Sequence, residues 1–159
     1  EIYTLSLHDA LPISANVRRL SHELIPPRFD NASLSELVCT YCQSMSAENG
    51  TIVKPFVSRS FEKLNLPSRT ALEVYRIVQE SVSNAIKYGY SKMITVTLDA
   101  SNNQASLCIA NDISREHPIT QGKMGIGKDT LKMRTEALKA VLTISEQDEE
   151  YKVEVRFPL

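Results

Sequence analysis

The sequence predicts an α+β fold, a two-layer α/β sandwich whose mixed, mostly antiparallel sheet is covered by helices on one face. Three observations carry this expectation. Apolar residues recur at helical spacing over 34–45 and 71–86, short β-rich runs pair across polar turns at 93–109 and 141–157, and the two kinds of segment segregate. With 159 residues, 42% hydrophobic and 23% charged, the chain suits one domain of roughly 100–150 residues plus tails. A net charge of −1 with the signs interspersed leaves no electrostatic footprint for nucleic acid or an anionic membrane. Cys39, Cys42 and Cys108 are too few and too unevenly spaced for a disulfide framework and suit a reducing compartment. No apolar run approaches the roughly 18 residues of a membrane span, so none is expected to contact a bilayer.

Residues 1–14 stand apart. They lack the basic region and small-residue cleavage site of a signal peptide. Back-translated, Ile2 to Ile13 resembles a common short-read sequencing adapter, so this segment is expected to carry no native structure. Ala15 to Leu24 reads as the end of a helix stopped by Pro26-Pro27, and 15–30 as a helix remnant and connection leading into a domain over 31–159. Ser33-Leu-Ser-Glu36 is a capping box, opening a helix with Leu34, Leu37, Val38, Tyr41 and Met45 on one face and Asn49-Gly50 at its end. Thr51 to Val57 alternates weakly, and Pro55 marks it as an edge strand.

Pro67 and Ser68 introduce the longest helix, with Gly89 where a left-handed C-cap would fall. Ala71, Tyr75, Val78, Val82, Ala85 and Ile86 share one side of it, and Glu73, Glu80, Asn84 and Lys87 the other. A solvated polar face is the ordinary reading. Asn84 argues against it, because an asparagine amide competes for backbone hydrogen bonds and is costly inside a helix. Met93 to Leu98 and Ala105 to Ile109 read as a hairpin through a six-residue polar turn. A long irregular segment, 111–127, carries Pro118, Gly122, Gly125 and Gly127. A third helix over about 129–140 and a last hairpin, Val141 to Ser145 with Tyr151 to Phe157, close the chain.

An Asn-bearing helix, a hairpin, a glycine-containing loop, a helix and a final hairpin resemble, in that order, the ATP-binding domain of sensor histidine kinases. That family sits within the gyrase, heat-shock-chaperone, histidine-kinase and mismatch-repair ATPase superfamily, whose Bergerat-type fold the resemblance implies. Glu80-Ser-Val-Ser-Asn84-Ala-Ile-Lys87-Tyr88-Gly resembles the family's N-box. By that resemblance Asn84 binds Mg²⁺ through its side-chain oxygen, Glu80 assists the metal or its waters, and both are catalytic. Lys87 and Tyr88 approach the phosphates of ATP. Mg²⁺ chemistry suits this, since the ion takes few protein oxygens beside water and phosphate. Val17 to Pro27 resembles the end of the second dimerisation helix in the nitrate-sensor-like branch.

The adenine-recognising Asp of the family is replaced by Asn111, and the Gly two residues on by Ile113; Asp112 substitutes for it after a one-residue shift. Gly122-Lys123-Met-Gly125-Ile126-Gly127-Lys128 resembles the second glycine box, with backbone N–H groups and a helix N-terminus facing phosphate. Asp129 reads as the helix N-cap. A third glycine box is absent, replaced by Glu146-Gln-Asp-Glu-Glu150. The resemblance implies the catalytic domain of a bacterial two-component kinase, transferring the γ-phosphoryl of ATP to a histidine on a dimerisation domain. A response regulator, a homodimeric full-length protein and a cytoplasmic location, compatible with a membrane-anchored parent, follow from it.

Two other readings compete. One is a degenerate, non-catalytic module serving dimerisation or response-regulator docking, motivated by Asn111, Ile113 and the missing box; the other is an anti-sigma-type serine kinase. Cys39-x-x-Cys42 lacks a second ligand pair for zinc and reads as buried thiols. His22 reads as structural, because the family's phosphoacceptor lies upstream on the first dimerisation helix; His8 lies in the adapter-like segment and His117 has no evident partner.

Overall fold

A computed structural model describes residues 32–89, 91–113, 125–147 and 149–159, without the side chains of 125–128. The segments 1–14 and 15–30, with His8 and His22, lie outside the described residues, as do His117, Pro118, Gly122 and Lys123.

Helix α1, Leu34–Asn49, begins at the capping box: the Ser33 hydroxyl accepts from the Glu36 N–H at 3.2 Å and the Glu36 carboxylate accepts from the Ser33 N–H at 2.7 Å. Gly50, at φ 68°, ends it in the left-handed conformation. Strand β1, Ile52–Val57, follows as an edge strand, which is where Pro55 can be tolerated. A single helical turn, α2 (Arg59–Glu62), is capped by Ser58 and anchored by Phe61, only 2% exposed. Four residues are too few to show a periodicity, so the sequence gives no warning of it.

Helix α3, Ser68–Gly89, carries the core stripe Ala71, Val74, Tyr75, Val78, Val82 and Ala85, all buried. Strands β2 (Met93–Ser101) and β3 (Gln104–Asp112) form an antiparallel hairpin longer and tighter than expected. Its turn is Asn102-Asn103, both with positive φ (51° and 60°), rather than six residues. This is the backbone of a primed two-residue turn, and Asn is among the few side chains that tolerate it.

Helix α4, Gly125–Ala137, starts and stops earlier than the expected 129–140, so Gly125 and Gly127 belong to its first turn and not to a loop. It stops because Lys139, at φ 52°, forms a Schellman motif: the Ala140 N–H donates to Thr135 O at 2.9 Å and the Lys139 N–H to Glu136 O at 3.0 Å. The glycine that ordinarily marks such an end is missing, which is why the stop was not visible in the sequence. Strands β4 (Val141–Gln147) and β5 (Glu150–Pro158) close the chain.

The five strands are ordered β1-β2-β3-β5-β4, parallel between β1 and β2 and antiparallel elsewhere. Alternate residues Ile94, Val96 and Leu98, Leu107 and Ile109, and Val153, Val155 and Phe157 are buried from three central strands. They share one core with Val38 and Cys42 of α1, the α3 stripe and Leu131 of α4. The predicted mixed two-layer sheet is the observed one. No helix among the described residues is long and apolar enough to cross a membrane.

Candidate functional site

The polar face of α3 holds a structural ion pair and a candidate ligand-binding pair. Glu73 accepts from Arg134 Nη1 of α4 at 2.9 Å, an ion pair whose side chains are 22% and 30% exposed, so it ties the two helices together. Two to three turns along α3, Asn84 Nδ2 donates to Glu80 Oε1 at 3.0 Å. Spacing of four residues brings the two side chains together, as the 3.6-residue period requires. Because the amide N–H goes to the carboxylate, the carbonyl Oδ1 is what Asn84 has for a cation. Lys87 is exposed and Tyr88 half-buried.

A cleft of ≈ 310 Å³ opens between α1, α3 and α4, lined by Tyr41 and Met45 on one side, Glu80, Ile86 and Lys87 along α3, and Arg134 opposite. Glu80 and Lys87, singled out from the sequence, are therefore brought to one cavity. Asn84 stands beside it, joined through its bond to Glu80. Arg134 Nε is buried with no hydrogen-bond partner among the described residues, so within them part of this cationic wall is unsatisfied. Among the described residues no three His, Cys, Asp or Glu side chains converge as a metal centre. A carboxylate and an amide oxygen are a donor set suited to a hard cation that completes its shell from water and a phosphate.

At the C-terminal end of α3 the chain is tightly knit. Asn111, on the helix-facing side of β3, is 4% exposed, and its Nδ2 donates to Ser91 Oγ at 2.8 Å and to Asp112 O at 3.0 Å. Gly89 sits against both side chains: a Cβ there would lie 2.6 Å from Ser91 Oγ and 2.9 Å from Asn111 Nδ2. Gly89 is the last helical residue of α3, and its smallness serves this close approach; the left-handed cap expected there is not what it supplies. Asp112 is exposed, but its carboxylate accepts the N–H groups of Lys92 and Met93 at 3.3 and 3.0 Å, capping the start of β2. That bonding leaves it little freedom to substitute for Asn111 at a ligand.

Gly125 and Gly127 place backbone N–H groups in the first turn of α4, four of which an α-helix leaves without internal acceptors. The side chains of Ile126 and Lys128, like Lys123, lie outside the described residues. Ser91 is the partner of Asn111 that the sequence did not disclose: a lone serine two residues past a helix end has no periodic or motif signal. Cys42 is fully buried, with its thiol pushed up to about 12 by desolvation and the neighbouring Cys39, which fits a core thiol and not a metal or redox pair.

No family model matches the chain. In sequence it is 31% identical over 88 residues to the oxygen sensor histidine kinase NreB of Staphylococcus carnosus, covering 55% of this chain and 25% of that protein. It is 24% identical over 135 residues to the sensor histidine kinase MctS of Rhizobium johnstonii, covering 83% of this chain and 29% of that protein. The chain thus spans under a third of the length of these relatives. In structure it resembles the histidine kinase domain of the blue-light activated histidine kinase from Erythrobacter litoralis, with a TM-score of 0.64, 12% identity, and 97% and 86% of the two chains covered. It also resembles the histidine kinase domain of the Escherichia coli osmosensor EnvZ, at a TM-score of 0.57 and 16% identity over 80% and 87% of the chains. At such identities these structures speak for the fold.

Proposed function

Given that the chain is a homologue of sensor histidine kinases with the fold of their catalytic domains, we propose that it binds Mg²⁺-ATP and donates the γ-phosphoryl to a histidine of a dimerisation domain. The observation that carries this reading is the Glu80–Asn84 pair on α3, 3.0 Å apart beside the cleft. Asn84 Oδ1 and Glu80 would hold the cation, Lys87 would neutralise phosphate charge, and the first turn of α4 would offer N–H groups to the phosphates. Mg²⁺, when bound, supplies charge neutralisation across the phosphate oxygens. The chain's own residues contribute position and electrostatics: the γ-phosphorus is held in line with the incoming imidazole nitrogen, the bond to the β–γ bridging oxygen breaks, and ADP leaves. Pre-oriented donors do this at little reorganisation cost.

In the full-length protein the phosphoryl group would pass on to a response regulator, and the acceptor histidine would come from a homodimeric helical domain. A cytoplasmic setting in a bacterium fits the reducing compartment that the three free cysteines suggest. The test is a titration with a fluorescent ATP analogue, with and without Mg²⁺. Asn84→Ala is expected to weaken Mg²⁺-dependent binding by roughly tenfold or more, the scale of one lost metal-linked contact, with the melting temperature little changed. Unchanged affinity in that variant would remove Asn84 from the site.

The commitment of Asp112 to the β2 backbone favours a second reading, a degenerate module that has lost nucleotide and only docks partners. Saturable Mg²⁺-ATP binding by the unmodified chain rejects it.

A further inference from the structure

Away from the cleft, a second cavity of ≈ 150 Å³ opens where the chain enters the domain. Three stretches build it. The first turn of α1 supplies Leu34, and α2, capped by Ser58, supplies Phe61. The Leu64 N–H then donates to Phe61 O at 3.0 Å, which turns the chain back beside that ring. Pro67 keeps Leu66 out of the helical region before α3 begins, and Ala71 in α3 is too small to fill the space behind it. Leu34, Phe61 and Ala71 are buried, Leu64 and Leu66 half-buried, and Glu62 at the edge is exposed. An apolar floor with a polar edge is a place for one apolar group.

Size and reach limit what can fill it. An apolar cavity of roughly 150 Å³ admits a single benzene ring and is far too small for a helix. Ala32, on its wall, is where the preceding chain arrives. That chain reads Pro27-Arg28-Phe29-Asp30-Asn31, so Phe29 is the one apolar side chain between Pro27 and Ala32. It stands three positions before Ala32, at most about 11 Å of extended backbone. So short a tether keeps the ring at high effective concentration beside the cavity. Glu62 on the edge also offers a carboxylate to Arg28, the residue next to Phe29.

We infer that this cavity is the socket of Phe29, whose ring seats among Leu34, Phe61, Leu64 and Leu66 and fastens the connecting segment to the domain. The connection is thereby a fixed joint. Pro26 and Pro27 stiffen the chain just before it, so the helix expected over 15–24 leaves the domain in a set direction instead of swinging on a free linker. The inference stands apart from the nucleotide reading.

Trypsin tests it on the full chain, because cutting after Arg28 requires Phe29 to leave the socket. The Arg28–Phe29 bond is expected to be cut ~10-fold more slowly in the unmodified chain than in Phe29→Ala, the ratio for a ring seated in roughly nine molecules out of ten. Leu64→Ala alters the socket and leaves the cleavage sequence intact; it should speed the same cut by ~3-fold or more. The two substitutions together should cut no faster than Phe29→Ala alone, within ~2-fold, because both empty one site. Melting temperatures show that the variants stay folded, and Leu66→Ala gives the same reading if Leu64→Ala folds poorly. Equal cutting of the unmodified chain and Phe29→Ala overturns the inference. So does a Leu64→Ala effect that multiplies with that of Phe29→Ala, since the ring would then be seated elsewhere.

Discussion

Asn84 and Asn111 are the same side chain held in two ways. Asn84 spends an N–H on Glu80 at the surface of a helix, and Asn111 spends both on Ser91 and Asp112 inside the fold. The first was legible because an asparagine in mid-helix works against helix propensity and so calls for a reason. The setting of the second was not, because it depends on the Ser91 hydroxyl, 20 residues away in sequence. Cys42 gives a prediction at this scale. Burial holds its thiol near 12 against an ordinary value of 9.0, so the folded protein keeps the proton that the unfolded chain releases. Its contribution to stability is complete below pH 9 and is lost as the pH rises toward 12. Denaturant unfolding across this window should show stability falling with pH, the raised hydroxyl of Tyr75 acting in the same sense. Cys42→Ala should cost about 1 kcal/mol at pH 7 through a small cavity and flatten the alkaline slope; an unchanged slope would count against the assignment.

Element by element, the starts were easier to read than the ends. The capping box at Ser33 and Gly50 bracket α1 because both residues act through local backbone bonds that any neighbour pattern preserves. The end of α4 uses the same Schellman geometry with Lys139 in the left-handed position, so the signal was missing although the structure was not. A lysine there bears a Cβ clash that glycine avoids. Lys139→Gly should therefore stabilise the fold by about 1 kcal/mol, read as a shift in the denaturant midpoint without change in slope. Lower stability would mean that the lysine side chain, exposed in the structure, makes a contribution larger than the backbone strain it imposes. The β2–β3 turn was misjudged for the same reason: Asn102 and Asn103 adopt positive φ, a conformation the sequence flags clearly only when glycine is present.

For the molecule as a whole, the hairpins were visible as neighbouring alternations, whereas the pairing of β1 was not. β1 lies parallel to β2, and parallel neighbours need a crossover, here through α2 and α3. That crossover lays α3 along the sheet and brings Gly89 to the base of the β2–β3 hairpin, so the candidate site depends on a pairing that sequence alternation could not supply. The core it closes runs from Leu34 to Phe157 and includes buried residues of all three longer helices and the central strands. We propose that the first fourteen residues, whose codons resemble a sequencing adapter, contribute nothing to this domain. We expect a chain lacking residues 1–14 to match the full chain in unfolding free energy within ~0.5 kcal/mol, the scatter of surface changes, and in Mg²⁺-ATP affinity within ~2-fold, since a 2-fold ratio is only about 0.4 kcal/mol. Denaturant unfolding and a calorimetric titration check both. A destabilised or weaker-binding truncation would show that the segment packs on the domain and is part of the native protein.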